Sequence, residues 1–123
     1  MQPKYLQNNQ KIRDLMTESI GLANNTKWCE LQKIMSELGS RAPYWRTYAT
    51  NGFLYPLNGW DGDWSYPFRL GEYKHIETCE ISPRLTKSSL SFEDCVSTCK
   101  SIGFEIETLP EANIIRILGY QRI

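Results

Sequence analysis

Leu90-Ser91-Phe92-Glu93-Asp94-Cys95-Val96-Ser97-Thr98-Cys99-Lys100-Ser101-Ile102-Gly103-Phe104-Glu105-Ile106-Glu107-Thr108 changes its hydrophobic period at Gly103. Before that glycine, Phe92, Cys95, Val96, Cys99 and Ile102 recur at helical spacing and share one side of a helix. Ser91 with Asp94 three residues on resembles a capping box. Leu90 and Cys95 take the staple positions, and Gly103 suits the C-terminal end. After the glycine, Phe104 to Thr108 alternates with period two, as a strand with one apolar face does. A turn at Leu109-Pro110-Glu111-Ala112 and an isoleucine-rich strand from Asn113 to Tyr120 follow. Helix, strand, turn and strand in this order predict an α+β fold, with helices segregated from a mainly antiparallel sheet.

Upstream, Tyr73 to Ser82 has strand composition, with Tyr73, His75, Glu77, Cys79 and Ile81 alternating against Lys74, Ile76, Thr78 and Glu80. Neither set is cleanly apolar, so alternation leaves open which one faces the core. Residues 83 to 89 form a largely polar connector. Trp45 to Thr50 reads as a strand, Asn51-Gly52 as a hairpin turn with both central residues at positive φ, and Phe53-Leu54-Tyr55 as the returning strand. Pro56, Asn58-Gly59 and Asp61-Gly62 make residues 56 to 63 an irregular loop. Trp64-Ser65-Tyr66 follows as a short third strand, which Pro67 confines to an edge. Trp28, Leu31, Ile34, Met35 and Leu38 form a helical stripe ended by Gly39, and Ile12, Leu15, Met16 and Ile20 form an earlier one. Asn24-Asn25-Thr26 separates the two and offers an N-cap. The sequence therefore predicts an N-terminal helical hairpin, a sheet of about five to six strands, and the further helix at 91–102.

The 123 residues, 41% hydrophobic and 23% charged, fit one folded domain rather than a disordered or fibrous chain. Apolar runs such as Phe53-Leu54-Tyr55 fall far short of the roughly 20 residues a membrane helix needs, so no membrane association is expected. Met1-Gln2-Pro3-Lys4 opens a mostly polar segment with neither an apolar core nor a small-residue cleavage site. No signal peptide is expected, and the expected location is cytoplasmic. Fourteen basic residues balance fourteen acidic ones, which argues against nucleic acid as a partner. Aromatics interleaved with Arg41, Arg46 and Arg69 offer a base-stacking surface that the balanced charge disfavours. Residues 1 to 60 hold seven basic and four acidic side chains, and residues 61 to 123 hold seven and ten. The second half can thus present an acidic face to a basic partner.

His75 is the only histidine, and Glu77 shares its predicted strand face, so the two could form an acid–base pair. No nucleophile elbow or catalytic cysteine context accompanies them. Cys95 and Cys99, four apart on a helix, could share a metal. His75 and Cys79, four apart on a strand, are separated by about 13 Å at roughly 3.3 Å per residue, which zinc bonds of about 2.0–2.3 Å do not bridge. Free thiols are expected at Cys29, Cys79, Cys95 and Cys99, the last two as small hydrophobes in the core. The glycines are dispersed without phosphate-loop spacing, and no cofactor or metal is expected. In Trp60-Asp61-Gly62-Asp63-Trp64 the two carboxylates could meet a divalent cation. The EF-hand spacing and its closing glutamate are absent, however, and Asp-Gly is ordinary turn chemistry. Tyr55, Trp60, Trp64, Tyr66 and Tyr73 concentrate side chains that are enriched at interface hot spots, although alternation could turn Trp64 inward.

Asn24-Asn25-Thr26-Lys27-Trp28-Cys29-Glu30-Leu31, Tyr44-Trp45-Arg46-Thr47, Gly62-Asp63-Trp64-Ser65-Tyr66-Pro67-Phe68 and Tyr73-Lys74-His75-Ile76-Glu77 together resemble a family of small bacterial proteins suspected to be immunity proteins of toxin systems. The resemblance spans residues 24 to 81 and implies a small cytoplasmic binding protein rather than an enzyme. An immunity protein neutralises a cognate protein toxin by direct contact, through a rigid scaffold, aromatic hot spots and complementary charge. The expected contact residues are Trp60, Asp61, Asp63, Trp64, Tyr66 and Glu72. A small enzyme using His75 with Glu77, and a non-catalytic structural or regulatory subunit, are the alternatives.

Overall fold

The computed structural model describes residues 19–65 and 73–122. Among these are two helices, α1 (Asn25–Leu38) and α2 (Phe92–Ile102). The strands are β1 (Ser19–Gly21), β2 (Tyr44–Ala49), β3 (Leu54–Tyr55), β4 (Ile76–Ser82), β5 (Glu105–Leu109), β6 (Ile114–Leu118) and β7 (Tyr120–Arg122). Five of them form one sheet in the order β3-β2-β4-β6-β5 with every neighbouring pair antiparallel, while β1 and β7 form a separate two-stranded ribbon. The α+β architecture is thus present. The first predicted helix falls mostly on residues outside those described, and its last stripe residue, Ile20, stands in β1 opposite Gln121 rather than in a helix.

Both described helices start where the sequence places caps. The Asn24 side chain accepts from the Lys27 N–H at 2.9 Å, and Ser91 Oγ accepts from the Asp94 N–H at 3.1 Å. Trp28, Leu31 and Met35 of α1 and Cys95 and Cys99 of α2 pack over Trp45, Ile76, Cys79, Ile81, Ile115 and Ile117 of the sheet. Phe104, at the exit of α2, meets the Trp28 ring at 4.8 Å. Lys27 Nζ donates to the Gly103 carbonyl oxygen at 2.9 Å, placing a cation at the C-terminal end of α2 and tying the helices together.

Three local departures have physical causes. First, Tyr73–His75 is a 3₁₀ turn, and the strand begins only at Ile76. Tyr48 pairs with Thr78 but Ala49 pairs with Ile76, so Glu77 is an extra residue, a β-bulge. The bulge reverses the alternation: Ile76, Cys79 and Ile81 are all buried, which no single period-two phase allows. Second, the β2–β3 connection, Thr50 to Phe53, has four residues. Gly52 N–H donates to the Ala49 carbonyl, Ala49 N–H donates to the Phe53 carbonyl, and only Gly52 takes positive φ, at 87°. The two-residue turn expected at Asn51-Gly52, with both residues at positive φ, is corrected accordingly. Third, the strand predicted from Asn113 to Tyr120 is two strands. Asn113 is left-handed at the end of the 3₁₀ turn Pro110–Ala112, and Gly119 separates β6 from β7. Gly119 passes so close to the bulge that a Cβ there would lie 2.1 Å from the Ile76 carbonyl oxygen.

Candidate interaction surface

Helices cover one face of the sheet, and the other face carries the outward side chains of five strands. Pairing aligns Arg46, Glu80, Arg116 and Glu107 in one row across β2, β4, β6 and β5. Glu80 is only 2% exposed. One carboxylate oxygen accepts from Arg46 Nε at 2.7 Å and the other from Arg116 Nε at 2.9 Å. Two charge-assisted bonds offset the desolvation of that carboxylate. The bond to Glu80 also raises the Arg116 pKa above its ordinary value. A second row, Leu54, Tyr48, Thr78, Leu118 and Glu105, runs beside the first. Tyr48, Glu77, Thr78, Glu80, Glu107 and Arg116 line a shallow open depression of about 360 Å³.

At the β3 edge, residues 56–65 fold back on β2. Asp61 and Trp45 exchange backbone N–H···O bonds at 2.8 and 2.9 Å, on the side of β2 away from β4. Asp61 Oδ2 accepts from the Tyr55 hydroxyl at 2.8 Å and Oδ1 accepts from the Asp63 N–H at 2.8 Å. Asp63 Oδ1 in turn accepts from the Ser65 N–H and hydroxyl. Both aspartates therefore act as local turn caps. Arg84 clamps the loop from the connector side: its Nη2 donates to the Gly62 carbonyl at 2.8 Å and its Nε to the Ala42 carbonyl at 2.7 Å. Its guanidinium lies 4.6 Å from the Tyr44 ring centroid. The hydrogen-bonded loop sets the half-buried Trp60 ring 4.1 Å from the Arg46 guanidinium.

The expected contact residues separate. Trp60 and Asp63 remain accessible at the surface, and Asp61 is half-buried in the bridge. Trp64 is 3% exposed and donates from Nε1 to the Pro43 carbonyl at 2.8 Å, so it belongs to the core and offers no contact area. The predicted strand at Trp64-Ser65-Tyr66 is absent at Trp64 and Ser65, whose backbone follows the aspartate turns. Tyr66 and Glu72, together with Arg69, lie outside the described residues. Tyr44, Tyr48, Leu54 and Leu57 are exposed near Trp60, and sequence reasoning missed them as it missed Glu80. Strand register alone brings these residues together, and one unpaired strand carries no signal of register.

His75 is exposed on the 3₁₀ turn and Glu77 is the bulge residue of β4, so the shared strand face expected for them does not exist. Of the two, only Glu77 lines the depression. Arg41 Nε donates to the Ser88 carbonyl and Arg46 Nε to Glu80, which separates the expected base-stacking arginines. The four cysteines are free thiols; Cys29 is exposed, and Cys79, Cys95 and Cys99 are buried. Burial pushes the Cys95 and Cys99 thiols up to about 12, and Cys79 also rises. Thiols so placed stay protonated and unreactive near neutral pH. Among the described residues no three of His, Cys, Asp and Glu converge as a metal site, and no helix is long and apolar enough to cross a membrane.

These features define an α+β fold with one sheet face under helices and, among the described residues, the other left open. The chain belongs to the family of unknown function DUF6678, which matches residues 13–123. No curated protein and no solved structure matches it.

Proposed function

We propose that this protein is a cytoplasmic binding protein of the immunity type, which neutralises a cognate bacterial protein toxin by covering it rather than by chemistry. One observation carries the reading: a clamped loop holds Trp60 on Arg46, beside the exposed Tyr44, Tyr48 and Leu54, on the open sheet face. Rigid aromatic surface is what protein recognition uses, because large contact area is gained with little ordering entropy. Trp60 and Asp63 are the contact residues of this proposal, and Asp61 and Trp64 set their positions.

The test is capture of the tagged protein co-expressed with the product of its neighbouring gene, followed by affinity measurement on the purified pair. The expected result is a stoichiometric complex whose toxicity this protein relieves. Trp60→Ala should raise its Kd roughly 30-fold, as loss of a hot spot of about 2 kcal/mol does. A folded Trp60→Ala variant with unchanged affinity would remove the loop from the interface. No partner retained at low salt would remove the immunity reading itself.

A further inference from the structure

The row Arg46, Glu80, Arg116, Glu107 alternates in sign across four strands and stops at β5, which among the described residues pairs only with β6. Glu107 holds the open end: its carboxylate is 3.6 Å from Arg116 Nη1, and its side chain is 56% exposed. Glu105, two residues earlier, faces the same side and is also exposed. Within the row Arg46 and Arg116 balance Glu80 and Glu107, so Glu105 is the surplus charge at this edge, and Glu107, exposed at the end of the row, faces outward beside it.

An edge strand presents outward N–H and C=O groups as a template for another strand. Opposite charges facing across strands are favourable and like charges unfavourable. A strand added along β5 therefore continues the row if it carries a lysine or arginine opposite Glu107, and a second opposite Glu105. The long stem of such a side chain has room over the depression of about 360 Å³ that Glu107 and Arg116 border. A second copy of this chain fits poorly. Antiparallel pairing of β5 with itself over all five residues sets Glu107 against Glu107, and centring it on Ile106 sets Glu105 against Glu107 twice.

We infer that β5 is a docking edge for an extended segment of a basic partner protein, whose lysines or arginines face Glu105 and Glu107 on the open side of the sheet. This goes beyond the Trp60 loop, which lies at the opposite edge, and it stands whether or not that loop meets a toxin.

The test is an amide NMR titration of the whole protein with three synthetic eight-residue peptides. The first alternates lysine with valine, the second replaces lysine by glutamate, and the third is the lysine peptide with alternate backbone nitrogens methylated. The lysine peptide should shift the Glu105–Leu109 amides and slow their hydrogen exchange, and the glutamate peptide should not. Glu105→Lys and Glu107→Lys, checked for folding by circular dichroism, should each weaken the lysine peptide about tenfold, from the loss of one attraction and the gain of one repulsion. Methylation should abolish binding. Equal binding of the methylated peptide would show charge attraction without strand addition and overturn the inference. So would an absence of β5 shifts at millimolar peptide. Amides of β5 already protected in the free protein would mean that the chain or a second copy fills the edge, which also overturns it.

Discussion

Thr47 is 1% exposed on the helix-covered face of β2, and its hydroxyl oxygen has no hydrogen-bond partner. A buried hydroxyl that leaves water without finding a partner is a net cost, whereas an apolar group of the same shape carries none. The Thr47 backbone is extended and its side chain is β-branched like that of valine, so valine meets the same conformational demands. Thr47→Val should therefore stabilise the protein by about 1 kcal/mol, seen as a higher urea midpoint at unchanged m-value. A lower midpoint would show that the hydroxyl finds a partner in solution. Glu80 is the opposite case on the other face of the same sheet, a buried carboxylate with two cationic partners. The two residues show why burial by itself ranks nothing: satisfaction of the polar atom decides the sign.

Between elements, the tightest constraint is the crossing of Gly119 over the β4 bulge. Its N–H donates to the Glu77 carbonyl at 2.7 Å, and its carbonyl accepts from the Leu22 N–H at 2.9 Å, linking the main sheet to the β1–β7 ribbon. Gly119→Ala sets a methyl group against the Ile76 carbonyl oxygen, a backbone atom with no rotamer to yield, and should cost about 3 kcal/mol. Gly21→Ala is the control, since a Cβ there meets only the Tyr120 ring at an ordinary 3.8 Å. Comparable losses for the two in urea unfolding would show that the crossing relaxes freely. The same region marks the limit of what sequence alone made legible. Helix α2, its cap and the period change at Gly103 were readable because all their determinants are local. The bulge at Glu77 and the break at Gly119 arise from pairing between strands far apart in sequence, and alternation within either strand gives no warning of them. The candidate surface divided in the same way. Asp61 and Asp63 announce a turn by their own chemistry, whereas the stacking of Trp60 on Arg46 and the pairing of Arg46 with Glu80 needed the register.

At the scale of the whole molecule, the core is built partly from ionisable groups that folding keeps neutral. Cys79, Cys95 and Cys99 lie where the helices meet the sheet, and burial holds Cys95 and Cys99 protonated up to about 12 against an ordinary value of 9.0. Tyr73, whose hydroxyl donates to Gln32 Oε1 at 2.6 Å, is likewise pushed up to about 12, by burial and then by its hydrogen bond with Cys29. For each such acid the folded state keeps its proton at a pH where the unfolded chain has released it, so stability falls as pH rises through that interval. Well below pH 9 both states hold the thiol protons and these groups add no pH dependence; as pH rises through about 9 the unfolded chain releases them, while the folded state holds them until about 12. Stability measured by urea unfolding should therefore be flat in this contribution from pH 7 to 8.5 and decline above it. Each fully differing thiol contributes on the order of 1.4 kcal/mol per pH unit. Cys99→Ala separates this from the general deprotonation of lysine and tyrosine. The variant starts less stable because of the cavity, but its decline with pH should be shallower by about one thiol's share. Parallel declines for the two proteins would show that the Cys99 thiol ionises alike in both states, and that water reaches the junction between the helices and the sheet.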